Sequence, residues 1–385
     1  MLMQETVNTE VPLTPPRTAG WSGPLLDLLG VLLWIGLVGW VVTTARTPDA
    51  AAPIRDLLLL AGGTYVFARL VSRLHSWVVP AVVASAVSVV AVWHLGGILG
   101  ATATDPLGYA NASAALYVVG CTASLMVYLR TARREIWAAA LFGASVCAIV
   151  PWLDTAIAAG LLMLPLPVAV LSREIGLRVR TVVALSAAAA VLVIGATVAV
   201  GAVWASGTPV DVVVSHTLSG NRAQLWREAL DLTEESPLYG VGVNRFAAES
   251  PLARADDDLR WAHNEYLQLA AESGLPGFAL AVGLLLWGFA RLAVGRRDQA
   301  TAVAAVGLAA ASITASIDYV WHFPVVLVAI AAVVGSGGGA PRRRSASGTA
   351  ARRREPRVDA ALARDAVWPQ QLADRRDEDP HVEQH

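Results

Sequence analysis

The sequence predicts an all-α polytopic membrane protein with about ten transmembrane helices and a long outer loop that carries short amphipathic helices. Composition is the first observation behind this prediction, because 55% of the 385 residues are hydrophobic and only 15% are charged. Ordinary soluble domains carry about 25% charged residues. The mean hydropathy is +0.54, and the charged residues lie between long apolar runs. These properties suit a lipid environment.

The apolar runs are long enough to cross a membrane. A helix needs about 20 predominantly apolar residues to span a hydrocarbon core about 30 Å thick. Prolines interrupt the fifth and sixth runs, which neighbouring helices or water can accommodate. The predicted spans are residues 25–44, 54–72, 77–100, 112–131, 136–152, 155–172, 180–204, 273–292, 299–318 and 322–339.

These spans set the predicted domain boundaries. Residues 1–24 form a polar cytoplasmic tail without the pattern of a cleavable signal peptide. Helices 1–7 occupy residues 25–204 and helices 8–10 occupy residues 273–339, on either side of a large outer loop at residues 205–272. Residues 340–385 are rich in Gly, Ser, Ala and Arg before they turn acidic, which predicts a disordered cytoplasmic tail.

The distribution of arginine predicts the topology, because cytoplasmic loops collect positive charge. The chain contains no lysine, and with the N-terminus inside, the short outer loops hold only Arg46 and Arg55. We therefore predict that both termini are cytoplasmic and that the long loop faces outward from the plasma (inner) membrane of a bacterium. The predicted inner loops hold Arg69, Arg73, Arg130, Arg133, Arg134, Arg173, Arg178, Arg180, Arg291, Arg296 and Arg297.

Charge and cysteine content argue against several kinds of function. The formal net charge of −1 leaves no general basic surface for nucleic acid. Cys121 and Cys147 both lie inside apolar runs, where cysteine usually packs as a small hydrophobic residue. We therefore predict no disulfide, no metal site and no cofactor.

The long polar segment at residues 219–277 is the candidate functional region. Ser219 or Asn221 can cap a helix that begins near Arg222. Apolar positions follow helical spacing in this helix, which predicts an amphipathic helix that a proline ends. The next stretch, LYGVGVNRF, has two glycines around Val241, which allow a tight backbone path or a nest of amides that faces an anion.

Arginines in this segment are candidates for anion binding. The stretch from Trp204 to Trp261 has five arginines and nine acidic residues. Because the stretch is locally acidic, any anion site must come from one or two aimed arginines. Arg222 opens a helix and Arg245 follows the glycine turn, and either side chain can hold a diphosphate through two nitrogens.

His263 begins the motif HNEYLQLAAESGLPG and is the candidate base. Histidine exchanges protons near neutral pH and can accept one from a sugar hydroxyl. The alternative interpretation is a hydrogen-bonded structural residue. Asp318 and His322 lie at the end of a later span. A carboxylate at membrane depth indicates a functional residue, whereas a carboxylate at the membrane interface is solvated and gives no such indication. Asn111 is interpreted as a packing or hydrogen-bonding residue.

Several stretches of the sequence share a resemblance to one family. The first is the pattern of Arg222, Trp226 and Ala229, followed by PLYGVGVNRF and HNEYLQLAAESGLPG. DPLGYANASAAL at residues 105–116 is similar to a Gly-Tyr/Phe-x-Asn stretch that opens a middle span, and ASIDYVWHFP at residues 315–324 is similar to a late span with an aspartate. In these patches the chain resembles the O-antigen ligase and O-antigen polymerase (Wzy-like) superfamily.

This resemblance implies a bacterial membrane glycosyltransferase. Such a protein moves a glycan from an undecaprenyl-diphosphate donor to a hydroxyl of a glycan or lipid acceptor at the outer face, without a nucleotide sugar or a required metal. Arg222 would bind or neutralise the diphosphate, and His263 would act as base or orient the acceptor. Other membrane proteins of polysaccharide assembly are expected partners. The implied substrate-binding residues are Arg245, Arg260, Asn264 and Asp318.

One element of the family pattern is missing. Many relatives carry a Ser-Arg-Gly-like element where this chain has PWLDTAIAAG, with Asp154 and no arginine. If that arginine is a second diphosphate contact, Arg245 or Arg260 would replace it. The choice between ligase and polymerase stays open. Two other functions also stay open. One is a transporter or flippase of lipid-linked saccharide, whose sequence would be expected to contain two related halves. The other is a non-catalytic relative that acts as an assembly partner.

Overall fold

The structure is a computed structural model that describes residues 22–153, 163, 165–204 and 220–338. All regular elements in these ranges are helical. Residues 1–21 of the predicted N-terminal tail, the predicted C-terminal tail, the predicted cap at Ser219 and Asp154 lie outside the described residues. The helices are α1 (Ser22–Thr44), α2 (Pro48–Leu74), α3 (Val78–Leu99), α4 (Ala110–Arg130), α5 (Arg134–Leu153), α6 (Pro165–Val170), α7 (Val179–Trp204), α8 (Gly220–Glu235), α9 (Phe246–Glu249), α10 (Pro251–Ala255), α11 (Glu265–Val294), α12 (Gln299–Ile317) and α13 (Pro324–Gly337), with short 3₁₀ turns at Asp257–Leu259 and Val320–His322.

Eight of the described helices, α1 to α5, α7, α11 and α12, are long and apolar enough to cross a membrane. They confirm the all-α polytopic fold class. The tenth predicted span, 322–339, is a shorter helix of 14 residues that begins at Pro324. Half of the sixth predicted span, 155–172, lies outside the described residues, and its described part contains the six-residue α6.

The centre of the bundle consists of α4 and α12, which are buried on nearly all sides. Helix α4 packs on α3, α5 and α12, while α12 also packs on α7. Small residues permit these close approaches. At Gly120 the backbone lies against Val87, and at Gly307 it lies against Thr122, so that a larger side chain has no room at either position.

Helix α11 is longer than predicted because it starts before the membrane-spanning run. It has 30 residues and bends at Gly274, whose φ of +69° is left-handed. The predicted span 273–292 corresponds to the part around and after this bend. Asn264 caps the helix, since its Oδ1 accepts hydrogen bonds from the amides of Tyr266 and Leu267.

The amphipathic helix predicted after Arg222 is present as α8. It packs on α7 and α11, with its apolar stripe turned inward. Trp226 is only 1% exposed, and its indole donates a hydrogen bond to the carbonyl of His263 at 3.2 Å. The polar segment is therefore fixed to the bundle as a folded layer. The buried residues of the stripe are Leu225, Trp226, Ala229 and Leu232.

Arginines of the predicted inner loops meet at the end of the bundle opposite to α8. Arg69 and Arg291 share the carboxylate of Asp27, at 2.7 and 2.9 Å. Arg130, at the end of α4, bonds to the carbonyl of Ser336 at 3.0 Å. This grouping agrees with the charge alternation along the chain. Which end faces the cytoplasm stays a prediction.

Candidate active site

The carboxylate of Asp318 is the centre of a polar cluster at the end of the bundle that carries α8. Asp318 is 1% exposed and lies directly after α12. It accepts hydrogen bonds from Nδ1 of His263 at 3.1 Å, from Nη2 of Arg222 at 3.1 Å and from the hydroxyl of Tyr109 at 2.7 to 2.8 Å. The amide of Asn111 also donates to it. We call these five residues the Asp318 cluster.

Each member of the cluster lies at a helix end, which brings distant parts of the chain together. Tyr109 precedes the first residue of α4, and Asn111 lies in its first turn. Arg222 lies in the first turn of α8. His263 precedes the cap of α11 and has a left-handed φ of +48°, a conformation that costs a non-glycine residue about 1 to 2 kcal/mol.

The environment of Asp318 keeps its carboxyl group ionised. Burial opposes the charge, but the hydrogen bond from His263, followed by the charge of Arg222, lowers the pKa of Asp318 below its ordinary value. An ionised carboxylate only accepts hydrogen bonds. Nδ1 of His263 must therefore carry the hydrogen, and in the neutral ring Nε2 then has the free lone pair.

Nε2 of His263 is placed as a base. It is buried and has no hydrogen-bond partner among the described residues. The ring of Tyr319 packs against His263 edge to face, with a centroid distance of 4.8 Å. Burial, followed by the charge of Asp318, raises the pKa of Tyr109, so its hydroxyl remains a donor and does not compete for the proton.

A second histidine and carboxylate pair lies beside the Asp318 cluster. Glu265 accepts hydrogen bonds from the backbone amides of Trp321 and His322, at 2.7 and 3.2 Å, and pairs with Nδ1 of His322 at 3.1 Å. Burial opposes the charge on His322, but Glu265 raises its pKa above the ordinary value. Trp261 packs on the same ring at 4.2 Å.

Of the residues singled out in the sequence, Arg222, His263 and Asp318 come together, whereas Arg245 and Arg260 are not in the cluster. Arg245 pairs with Glu249 at 2.6 Å on the next helical turn. Arg260 is exposed. The substrate-binding roles of both arginines stay predictions.

Asn264 is fully buried, and both ends of its amide contact the protein. Its oxygen caps α11, and its nitrogen donates to Oγ1 of Thr197 at 3.0 Å. The position thus fixes where α11 begins, which in turn places the neighbouring His263. Its predicted role in substrate binding stays a prediction.

The stretch with two glycines takes the tight backbone path, one of its two predicted conformations, and the amides that follow it bind a side chain of the protein. The carboxylate of Glu272 accepts hydrogen bonds from the backbone amides of Asn244 and Phe246, at 2.9 and 3.1 Å. The amides of Val241 and Gly242 bond to backbone carbonyls of α11. These contacts hold the turn against the bundle, as the predicted tight path requires.

Tyr109 is the cluster residue that sequence reasoning missed. It lies in the Gly-Tyr-x-Asn stretch, so its motif was visible, but its contact with a residue 209 positions later was not. Asn111 is a hydrogen-bonding residue as predicted, and its partner is Asp318. Among the described residues, no group of three or more His, Cys, Asp or Glu side chains is arranged to hold a metal ion.

Comparison with known proteins finds a family match for part of the chain. Residues 98–282 match the family model Wzy_C, described as O-antigen ligase, and no curated protein matches the chain. The matched region contains Tyr109, Arg222 and His263, and Asp318 follows it. The resemblance to O-antigen ligases is thereby confirmed. The chain is therefore a multi-pass membrane protein that carries an O-antigen ligase family domain.

Proposed function

We propose that this protein transfers a glycan from an undecaprenyl-diphosphate donor to an acceptor hydroxyl at the outer face of the bacterial plasma membrane. The O-antigen ligase domain supports an enzyme of this general kind in polysaccharide assembly. The observation that carries the proposal is that Asp318 joins a potential base, His263, to a potential anion-binding group, Arg222. Both groups serve glycan transfer from a diphosphate, since a base activates the acceptor hydroxyl and a cation stabilises the leaving diphosphate.

The acceptor is activated by His263. With Asp318 ionised and Nδ1 protonated, Nε2 accepts the hydroxyl proton of the acceptor as the oxygen attacks the anomeric carbon of the donor. Asp318 holds the ring in this tautomer and stabilises the imidazolium that forms. Positioned base catalysis of this kind contributes on the order of 10² to 10⁴ in rate.

Arg222 acts on the leaving group. As the new glycosidic bond forms, the bond from the anomeric carbon to the diphosphate oxygen breaks, and undecaprenyl diphosphate leaves with the bonding electrons. This group needs charge stabilisation more than protonation. Arg222 uses Nη2 for Asp318, and its side chain is 25% exposed, so other donors of the guanidinium can reach a phosphate.

The test is transfer by purified protein with an undecaprenyl-diphosphate oligosaccharide and a panel of hydroxyl acceptors. We expect transfer by the wild type and its loss in Arg222→Ala and His263→Asn. Asparagine is chosen at position 263 because it tolerates the left-handed backbone better than alanine. Matched controls are Arg254→Ala and His75→Gln, which change exposed side chains outside the cluster.

The controls decide between a specific and a general effect. Both should retain wild-type transfer. Transfer that persists in Arg222→Ala and His263→Asn would remove these residues from the mechanism. A folded wild type without transfer to any acceptor in the panel would instead favour a non-catalytic assembly role.

A further inference from the structure

A long apolar groove runs along α11 on the side away from α8. It lies between α1, α2, α11 and α13 and has a volume of about 230 Å³. Its lining extends along α11 from Glu265 to Gly288, which corresponds to about 35 Å of helix at 1.5 Å per residue. The groove therefore follows most of the thickness of a bilayer. Its apolar lining includes Leu37, Leu58, Leu284, Leu308, Leu327 and Val334.

Polar side chains are concentrated at the end of the groove nearest the Asp318 cluster. Glu265, Gln268 and Glu272 come from the first turns of α11, and His322 comes from the turn before α13. Such a space, apolar along its length and polar at one end, has the polarity of a lipid with a head group. Because it is built into a membrane protein, lipids can reach it directly.

The charge at the polar end selects the kind of head group. The described lining residues include two carboxylates, one imidazole and no arginine. Glu265 is matched by His322. Burial raises the pKa of Glu272, and its carboxyl group accepts hydrogen bonds from two backbone amides and from Gln268. A phosphate or diphosphate at this end would meet the carboxylate of Glu265 without a guanidinium. Carboxylates and amides are instead good partners for hydroxyl groups.

The polar end also lies close to the proposed base. Glu265 follows His263 by two residues, and His322 belongs to the same short turn as Asp318. The ring of Tyr319 lies 4.8 Å from that of His263 and 6.1 Å from that of His322. A head group at the end of the groove would thus be adjacent to the base, while Arg222 contacts Asp318 from α8.

We propose that the groove binds the lipid anchor of the acceptor, a glycolipid with an uncharged, hydroxyl-rich head group that lies between Glu265, Gln268 and His322. This proposal rests on the proposed glycan transfer and specifies its acceptor. The donor diphosphate binds on the Arg222 side of the Asp318 cluster. The acceptor hydroxyl reaches His263 from the groove side.

The test is lipid binding, measured by native mass spectrometry of the purified protein. The probes are a dihexosyl diacylglycerol, phosphatidylglycerol and undecaprenyl diphosphate. Ala281→Phe fills the groove, since Ala281 lines it. Ala279→Phe is the matched control, because Ala279 is exposed on the same helix and does not line the groove. Thermal unfolding of both variants shows that they fold.

We expect the wild type and Ala279→Phe to retain the dihexosyl lipid. Ala281→Phe should bind it about tenfold more weakly, because the phenyl ring fills space that the lipid would occupy. Equal binding by Ala281→Phe and the wild type would overturn the proposal. So would a selective loss of phosphatidylglycerol or undecaprenyl diphosphate from Ala281→Phe, because that result would assign the groove to an anionic lipid.

Transfer assays separate this proposal from the proposed function. If the groove is the acceptor site, Ala281→Phe loses transfer to the glycolipid, whereas Arg222→Ala loses transfer but keeps glycolipid binding. If Ala281→Phe transfers normally to the glycolipid, the groove assignment fails and the proposed function stands. If the wild type binds the glycolipid through the groove but never transfers, the lipid site stands and the proposed function fails.

Discussion

Replacing Asp318 by asparagine tests the logic of the site most directly. The side chain keeps its size and loses its charge. Nδ1 of His263 loses the carboxylate that fixes its tautomer, and Arg222 loses its ion pair. Because the proposed base acts only in this tautomer, we expect transfer to fall on the order of 10² to 10⁴, the range that positioned base catalysis contributes.

The same substitution should also lower the stability of the fold, by less free energy than the effect on transfer. Asp318 is 1% exposed, and hydrogen bonds to a buried charged group are worth about 1.5 to 3 kcal/mol each. The side chain of Arg222 is 25% exposed, so water partly replaces its lost partner. Asparagine also keeps an oxygen that can accept from Tyr109. We therefore expect a loss of about 2 kcal/mol in the free energy of unfolding.

The assays are the initial rate of transfer and thermal unfolding, each measured against pH. The folded-state pKa of Asp318 lies below its ordinary value, which is about 3.9 in an unfolded chain. A depressed carboxyl pKa stabilises the fold above the unfolded value, and this contribution is lost as pH falls through the folded value. The stability that the Asp318 charge gives the wild type over Asp318→Asn should thus be lost in acid, as pH falls from about 4 through the folded-state pKa.

Asp298→Asn is the matched control. Asp298 begins α12, whereas Asp318 ends it, and it pairs with Arg130 at 3.4 Å at the opposite end of the bundle. The control should lose stability without a comparable loss of transfer. A folded Asp318→Asn protein that transfers within about threefold of the wild type would refute the role of the carboxylate, because base catalysis alone contributes far more.

Other predictions concern the bend in α11, the second histidine and the guanidinium. Gly274→Ala should destabilise the protein by more than the roughly 1 to 2 kcal/mol that a left-handed backbone costs, because a Cβ would meet the carbonyl of Leu238. Gly176 is also left-handed but lies in open space, so Gly176→Ala should cost only that amount. Thermal unfolding measures both losses, and equal losses would contradict the steric argument. Because the pKa of His322 is raised from 6.5, its pairing with carboxylates on α11 stabilises the fold fully below about pH 6.5 and less as pH rises through the folded-state pKa. His322→Gln should abolish this decline of the melting temperature with pH. An unchanged decline would assign it to another group. Arg222→Lys should raise KM for the donor, since lysine cannot hold a carboxylate and a phosphate through one planar fork, and an unchanged KM would argue against a donor contact.

The sequence predicted the elements of the site better than their connections. Arg222 and His263 stood out because they lie in the long polar segment, within the stretches that resemble the O-antigen ligase family. The contact of Asp318 with Tyr109 joins positions 209 residues apart, which no local pattern encodes. The last span was predicted from residue 322, but the amides of Trp321 and His322 bond to Glu265 instead of entering the helix, so α13 begins at Pro324.

The position of Asp318 explains why folding and chemistry are coupled at this site. A carboxylate at the C-terminal end of a helix is disfavoured by the helix dipole, and Asp318 directly follows α12 while almost fully buried. Donors compensate for this: the adjacent amide of Tyr319, Tyr109 and Asn111 at the start of α4, and Arg222 and His263 from the polar layer that covers the bundle. The contacts with Asp318 therefore add to the apolar packing of the layer and also set the tautomer of His263. A protein built in this way has its base correctly oriented only while the polar segment is docked on the bundle.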